Sequence, residues 1–245
     1  MDNEVKKYMQ KKQITSRKST SKGVKLTKLQ KNILSFMGEN SFGKNFYWTG
    51  GTLLSYQYLH YRDSMDLDFF SNELFLNDEY LKFINELKTK TGATKVRFNL
   101  DKNRRIYLIE RKKENVKLEL VYFPFKSIEK KVWVEEFSLK ADSLTDIMVN
   151  KILSTYQRNE PKDIYDLYCY LKGKPKYNLP KLVKLVEKKF GVEIELFLLL
   201  AKINELADSI DVIQPLLFKK EKNLSQKVKN FFQKVFNSLA KKYIK

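Results

Sequence analysis

Two stretches of this sequence hold residues whose types and spacing could do chemistry. The first is the turn Gly50-Gly51-Thr52, followed by Asp66-Leu67-Asp68. Two aspartates one residue apart on a strand project from the same face. From there they can bridge two divalent cations, and such a pair supports in-line attack on an α-phosphate with departure of pyrophosphate. Glycines at a strand-to-helix turn allow close backbone approach to phosphates, and a helix N-terminus favours negative charge. Thr52 adds a hydroxyl donor. Glu119, within Lys117-Leu118-Glu119-Leu120, is the best third carboxylate. The chemistry these groups point to is nucleotidyl transfer, with Mg2+ or Mn2+ held by Asp66, Asp68 and Glu119 and a nucleoside triphosphate as substrate. An Asp-x-Asp pair is unspecific alone. Its setting in the hydrophobic run Met65 to Phe70 sharpens it, because aspartates there cost folding energy unless cations or water meet them. The plain alternative is a solvated sheet face, and for Glu119 a solvent-facing residue alternating with Leu118 and Leu120.

The second stretch runs from Thr145-Asp146 through Asn150-Lys151 to Arg158-Asn159-Glu160-Pro161-Lys162-Asp163 and Asp166. Lys151 and Arg158 are two helical turns apart and share a face. Asp163 and Asp166 share another. A Lys/Arg row opposite an aspartate pair suits a triphosphate on one side and a hydroxyl to be deprotonated on the other. An interhelical salt-bridge network is the competing account of the same residues.

The elements that must position these groups are legible in outline. Leu29, Ile33, Leu34 and Met37 repeat at helical spacing from Thr27 onward. Residues 40–43 read as a loop, residues 46–48 as a short aromatic strand ending at the glycines, and residues 52–61 as a helix. Residues 65–70 form the next strand, with Leu67 and Phe69 facing the core. A helix over 78–90 precedes strands at 94–100, 105–111 and 116–123. The first two of these are joined by the turn Asp101-Lys102-Asn103. Beyond Pro124 the pattern turns helical: 143–156 with Ser143 as cap, Pro161 opening a helix to about 171, then helices near 180–190, 192–206 and 223–242. The expected fold class is α+β, a small mixed sheet flanked by helices and followed by a C-terminal helical bundle. The expected division is a basic arm over 1–26, a core over 27–125 and a helical domain over 126–245.

Composition narrows the classes. The single histidine and single cysteine make a zinc site very unfavourable, so a metal here should be a hard cation on carboxylates. Lone Cys169 excludes an internal disulfide and fits a reducing cytosol. The longest apolar run, Leu196 to Ala201, is far short of the roughly 20 residues of a membrane span. Residues 1–32 have no apolar segment of a secretory signal, so a cytoplasmic location is expected. Net charge is +19, and the ends hold much of it: residues 1–31 carry ten basic and two acidic side chains, residues 219–245 nine lysines and one glutamate. Such flanks attract nucleic acid, although a lysine-rich surface also serves simple solvation. His60 ends a helix and Cys169 lies among tyrosines, so both read as structural. The aromatic residues at 46–48 and 56–61 could stack on bases but suit core packing better.

The runs Trp48-Thr49-Gly50-Gly51-Thr52-Leu53-Leu54 and Arg62-Asp63-Ser64-Met65-Asp66-Leu67-Asp68-Phe69-Phe70 resemble the AbiEii/AbiGii toxin family, part of the DNA polymerase beta-like nucleotidyltransferase superfamily. The resemblance covers about residues 46–171. It implies that Gly50, Gly51 and Thr52 hold nucleotide phosphates and that Asp66 and Asp68 carry magnesium. It extends to Thr-Asp before a spaced lysine and to Arg before Lys-Asp-x-x-Asp. That implies phosphate contact for Lys151, with Arg158 beside it, and catalytic help from Asp163 or Asp166 across a cleft from the carboxylates. Also implied are an RNA acceptor, tRNA among the candidates, and a toxin's role with an antitoxin protein as partner. Two alternatives stay open at this point: transfer to a small molecule such as an antibiotic, and a non-catalytic nucleic-acid-binding module.

Overall fold

The computed structural model describes residues 24–75, 77–101 and 103–243, so the basic arm expected over 1–26 lies almost wholly outside the described residues. Two units are present, dividing between Leu144 and Thr145.

The first unit is built on a mixed sheet of seven strands: β1 (Tyr47–Thr49), β2 (Leu67–Ser71), β3 (Lys95–Asp101), β4 (Arg104–Arg111), β5 (Glu114–Tyr122), β6 (Val132–Val134) and β7 (Leu139–Ala141). Their order is β3-β4-β5-β2-β1-β7-β6. β2 runs parallel to β5 and antiparallel to β1, which places both chemistry-bearing strands at the sheet centre. Alternation in β2 is as the sequence predicts, with Leu67 and Phe69 fully buried and Asp68 and Phe70 on the other face, half-buried.

Helix α1 (Lys28–Glu39) starts with a reciprocal cap. Thr27 Oγ1 accepts from the Gln30 amide, and the Gln30 side chain accepts from the Thr27 amide. Gln30 does more than cap. Its Nε2 donates to the carbonyls of Ser64 at 3.1 Å and Met65 at 3.3 Å, which anchors the chain just ahead of Asp66. The helix buries Leu29, Ile33, Leu34 and Met37. After β1 comes α2 (Gly50–Leu53), which passes into a π-helical turn over Leu54–Leu59 and stops at His60 in left-handed backbone. Helix α3 (Asn77–Thr91) precedes the β3–β4 hairpin.

One feature departs from expectation. The strands β6 and β7 are not visible in the sequence pattern. They join the sheet beside β1, so the first unit extends to Leu144 where a boundary after 125 was expected. Each is three residues long, too short for alternation to show. The aromatic run at β1 is buried, with Trp48 fully so, which makes it core and not a base-stacking platform.

The second unit is helical: α4 (Leu144–Gln157, shared across the division), α5 (Pro161–Lys172), α6 (Leu179–Phe190), α7 (Leu196–Leu206) and α8 (Leu224–Tyr243). A 3-10 segment, Ala207–Leu216, lies between the last two. Pro161 opens α5 and Pro180 lies in the first turn of α6, where a missing N–H costs nothing. Gly191 ends α6 with φ 66°, and Glu195 caps Phe197, so α7 begins later than the periodicity predicts. The core of this unit combines aliphatic residues such as Ile147, Ile152, Leu182 and Leu199 with the aromatics Tyr168 and Phe232.

Candidate active site

Parallel pairing of β2 with β5 sets Asp68 opposite Glu119, and antiparallel pairing sets Thr49 opposite Asp68 on the other side. Residues opposite one another in a ladder project from the same face. Asp68 and Glu119 therefore share one face of the sheet, as alternation predicts; Asp66 precedes β2 by one residue, where the sequence pattern put it inside the strand.

The glycine turn is fitted to this face. Gly50 has φ +80°, and a Cβ built there would meet Asp68 Oδ2 at 2.0 Å. The carboxylate thus lies against the Gly50 α-carbon. Gly51 faces Arg62 instead, whose Nη2 would be 2.9 Å from an added Cβ, with Ser64 Oγ at 3.3 Å. Replacing Gly50 by alanine should cost about 1–2 kcal/mol for the left-handed backbone alone and push the Asp68 carboxylate from its place. The expected result is a lowered melting temperature together with lost turnover. Gly51→Ala should be milder, since a guanidinium end can yield, and a Gly50→Ala protein with wild-type melting and turnover would contradict the fitted turn.

Thr52 is fully buried, and its hydroxyl donates to the Asp66 carbonyl. The hydroxyl expected at a phosphate is spent on tying the turn to the start of β2, because the helix returns the side chain toward the strand. Thr52 is thus a positioning residue here.

A lysine that sequence reasoning passed over occupies the middle of the carboxylates. Lys117 Nζ lies 3.1 Å from Asp66 Oδ2 and 2.5 Å from Glu119 Oε1. Arg104 Nη1 stands 3.8 Å from the other oxygen of Glu119. Burial pulls the Lys117 ammonium down, but the charges of Asp66, Glu119 and Asp68 outweigh it and hold the group well above an ordinary lysine. All three carboxylates are therefore felt at one point. The signal was available: Lys117 is two residues from Glu119 and so shares its face.

Among the described residues no group of three or more histidine, cysteine, aspartate or glutamate side chains is set to hold a metal ion. Two of the three carboxylates expected at a metal, Asp66 and Glu119, are instead in contact with the Lys117 ammonium. In kind the donor set still fits a hard cation, being all carboxylate oxygen around a point that already holds positive charge.

A second buried carboxylate was also missed. Asp142 accepts from Thr49 Oγ1 at 2.6 Å and from Lys131 Nζ at 2.6 Å, and is almost completely buried. Lys131 in turn sits 3.2 Å over the Tyr47 ring. This pair braces the end of β1 just before the glycines.

In the second unit the predicted polar cluster does come together. Lys151 Nζ binds Asp163 Oδ1 at 2.6 Å and Asp166 Oδ2 at 2.8 Å, while Arg158 Nε binds Asp163 Oδ2 at 2.8 Å. The two rows thus contact each other, in the manner of the salt-bridge account. Both aspartates are buried. Burial pushes the Asp163 carboxyl up, yet Lys151 and Arg158 more than offset it and leave it below the usual range. Asp146 is paired with Lys189 at 2.7 Å, a partner too distant in sequence to foresee. Cys169 is half-buried, and burial pushes its thiol up to about 12, well away from thiolate at neutral pH.

A glycine turn lying against one aspartate, with a further carboxylate presented by the neighbouring parallel strand of a mixed sheet, fits a protein of the nucleotidyltransferase class. The chain belongs to the AbiEii family, described as nucleotidyl transferase AbiEii toxin of a type IV toxin–antitoxin system, whose sequence model matches residues 33–242. It is accordingly an enzyme of nucleotidyl transfer. Its fold is shared with two solved structures. One is a candidate nucleotidyltransferase from H. pylori, with TM-score 0.58 and 16% identity over 87% of this chain and 94% of that one. The other is JHP933 from Helicobacter pylori, with TM-score 0.55 and 16% identity over the same shares. Among curated proteins none matches this chain in sequence. No helix among the described residues is long and apolar enough to cross a membrane.

Proposed function

We propose that this chain transfers a nucleoside monophosphate from an NTP to an RNA acceptor, as the toxin partner of an antitoxin protein. The observation that carries the reading is the Gly50–Asp68 contact, in which the turn that would meet phosphates and a carboxylate that would meet a metal are built as one unit. In this reading Asp66, Asp68 and Glu119 hold Mg2+ or Mn2+, which would neutralise charge developing on the transferred phosphate. The chain's own part is positional. Gly50 and Gly51 let the backbone approach the phosphates, Thr52 fixes the turn to β2, and Gln30 fixes the segment before Asp66. For Lys151 and Arg158 the resemblance suggests phosphate contact and for Asp163 or Asp166 a catalytic part; in the second unit the two cations are engaged by the two aspartates. The basic flanks support a polyanionic acceptor over a small molecule. The family's description supports an antitoxin partner.

The test is incubation of the protein with each labelled NTP, Mg2+ and total RNA, with label followed into RNA, protein and small molecules. Label in RNA from one preferred NTP is the expected result. Label in a small molecule alone would replace the acceptor, and no label with any NTP would remove the reading.

A further inference from the structure

Lys117 is placed where a cation would have to go. Its side chain is 15% exposed, that of Glu119 12%, and its ammonium touches Asp66 and Glu119 at once. A lysine on an open sheet face would extend its flexible stem into water. This one is held over the face by two carboxylates, Glu119 on its own strand and Asp66 just ahead of β2, the strand paired with it. Arg104, the neighbouring cation, is half exposed and farther from Glu119. An ammonium is a compact point charge with three donors. While it satisfies one oxygen of each carboxylate, those oxygens cannot also coordinate a metal from the same side.

We propose that Lys117 is a displaceable counter-ion. It balances Asp66 and Glu119 in the metal-free protein and must leave them before a divalent cation takes both. The site's affinity for bare metal is then set by Lys117 as much as by the carboxylates. A metal arriving on a triphosphate has an advantage, since the anion offers the displaced ammonium a new partner. The site thereby favours the metal–nucleotide complex over metal alone. The inference rests on the reading of Asp66, Asp68 and Glu119 as metal ligands.

The experiment is a Mn2+ titration of the full chain, followed by electron paramagnetic resonance, with melting temperatures measured in chelator and in Mn2+. Lys117→Met should bind Mn2+ about tenfold or more tightly than wild type. It should also melt lower in chelator and gain more from Mn2+, because two carboxylates have lost their partner. Lys117→Arg, which keeps the charge and can grip a carboxylate bidentately, should bind Mn2+ no better than wild type. This second variant keeps the test open if Lys117→Met does not fold in chelator. Mn2+ affinity in Lys117→Met equal to or below wild type overturns the proposal, as does an absence of Mn2+ binding in every protein. An Asp66→Asn, Asp68→Asn double variant separates the two failures. If it binds Mn2+ like wild type, the ligand reading itself is wrong. If it loses binding while Lys117→Met changes nothing, only the counter-ion role fails.

Discussion

Asp68→Asn should lower nucleotidyl transfer by about a thousandfold or more while the protein stays folded. Asp68 is the carboxylate closest to the glycine turn, so neutralising it removes charge where phosphate and cation would meet. Folding should survive because the close ion pairs of Lys117 are with Asp66 and Glu119. Asp66, Asp68 and Glu119 are like charges acting on one ammonium, so neutralising one of them lowers their mutual repulsion. The melting temperature in chelator should hold or rise slightly. Glu119→Gln is the instructive contrast. Its carboxylate is largely buried against Lys117, and removing that charge should lower both turnover and melting temperature. Labelled product and thermal melting, measured on both variants in Mg2+ and in chelator, check the pair of outcomes. Wild-type turnover by Asp68→Asn in Mg2+ would end its assignment as a ligand.

What could be foreseen of this site followed from local periodicity. The alternation Leu67, Asp68, Phe69 is enough to put the aspartate on the opposite face from the core, and the same alternation orients Glu119. Helix signals such as Thr27 with Gln30, and Pro161, also act within a few residues. Lys117 obeys the alternation rule as strictly as Glu119 does, so its face was readable. Its contact with Asp66 was not, because that depends on β2 lying parallel to β5, a pairing between segments some fifty residues apart in sequence. Asp142 failed for a related reason. Lys140-Ala141-Asp142-Ser143 reads as a polar lead into a helix, and only β7 lying beside β1 buries the carboxylate on Thr49. The strands β6 and β7 show the lower limit of pattern reading, since three residues carry barely one alternation. In the helices, spacing assigned Lys151 and Arg158 to one face and Asp163 and Asp166 to another. It could not say that the two faces meet.

That meeting makes single substitutions in the second unit hard to interpret, and the strongest expected effect there is on stability. Lys151 is the close partner of two buried aspartates, so Lys151→Met should cost up to about 3–5 kcal/mol by removing the cation they share. Activity would fall with the fold, whatever the lysine does for nucleotide. Replacing the whole set separates the roles, because a buried ion cluster exchanged for neutral residues of similar volume is often no less stable. The triple variant Lys151→Met, Asp163→Asn, Asp166→Asn should therefore regain most of the lost melting temperature. It should also lose an acid sensitivity that the wild type shows. The Asp163 carboxyl is held below its ordinary range, so its stabilising contribution is complete above the unfolded pKa, ~3.9. That contribution disappears as pH falls through the lower folded value. If these residues serve the reaction, the restored fold should still transfer nucleotide about a hundredfold more slowly or worse. Both nucleotide affinity and rate should fall in that variant. Recovery of wild-type turnover along with wild-type stability would make the cluster a brace between α4 and α5 and nothing more, leaving the reaction to the carboxylates and glycines of the first unit.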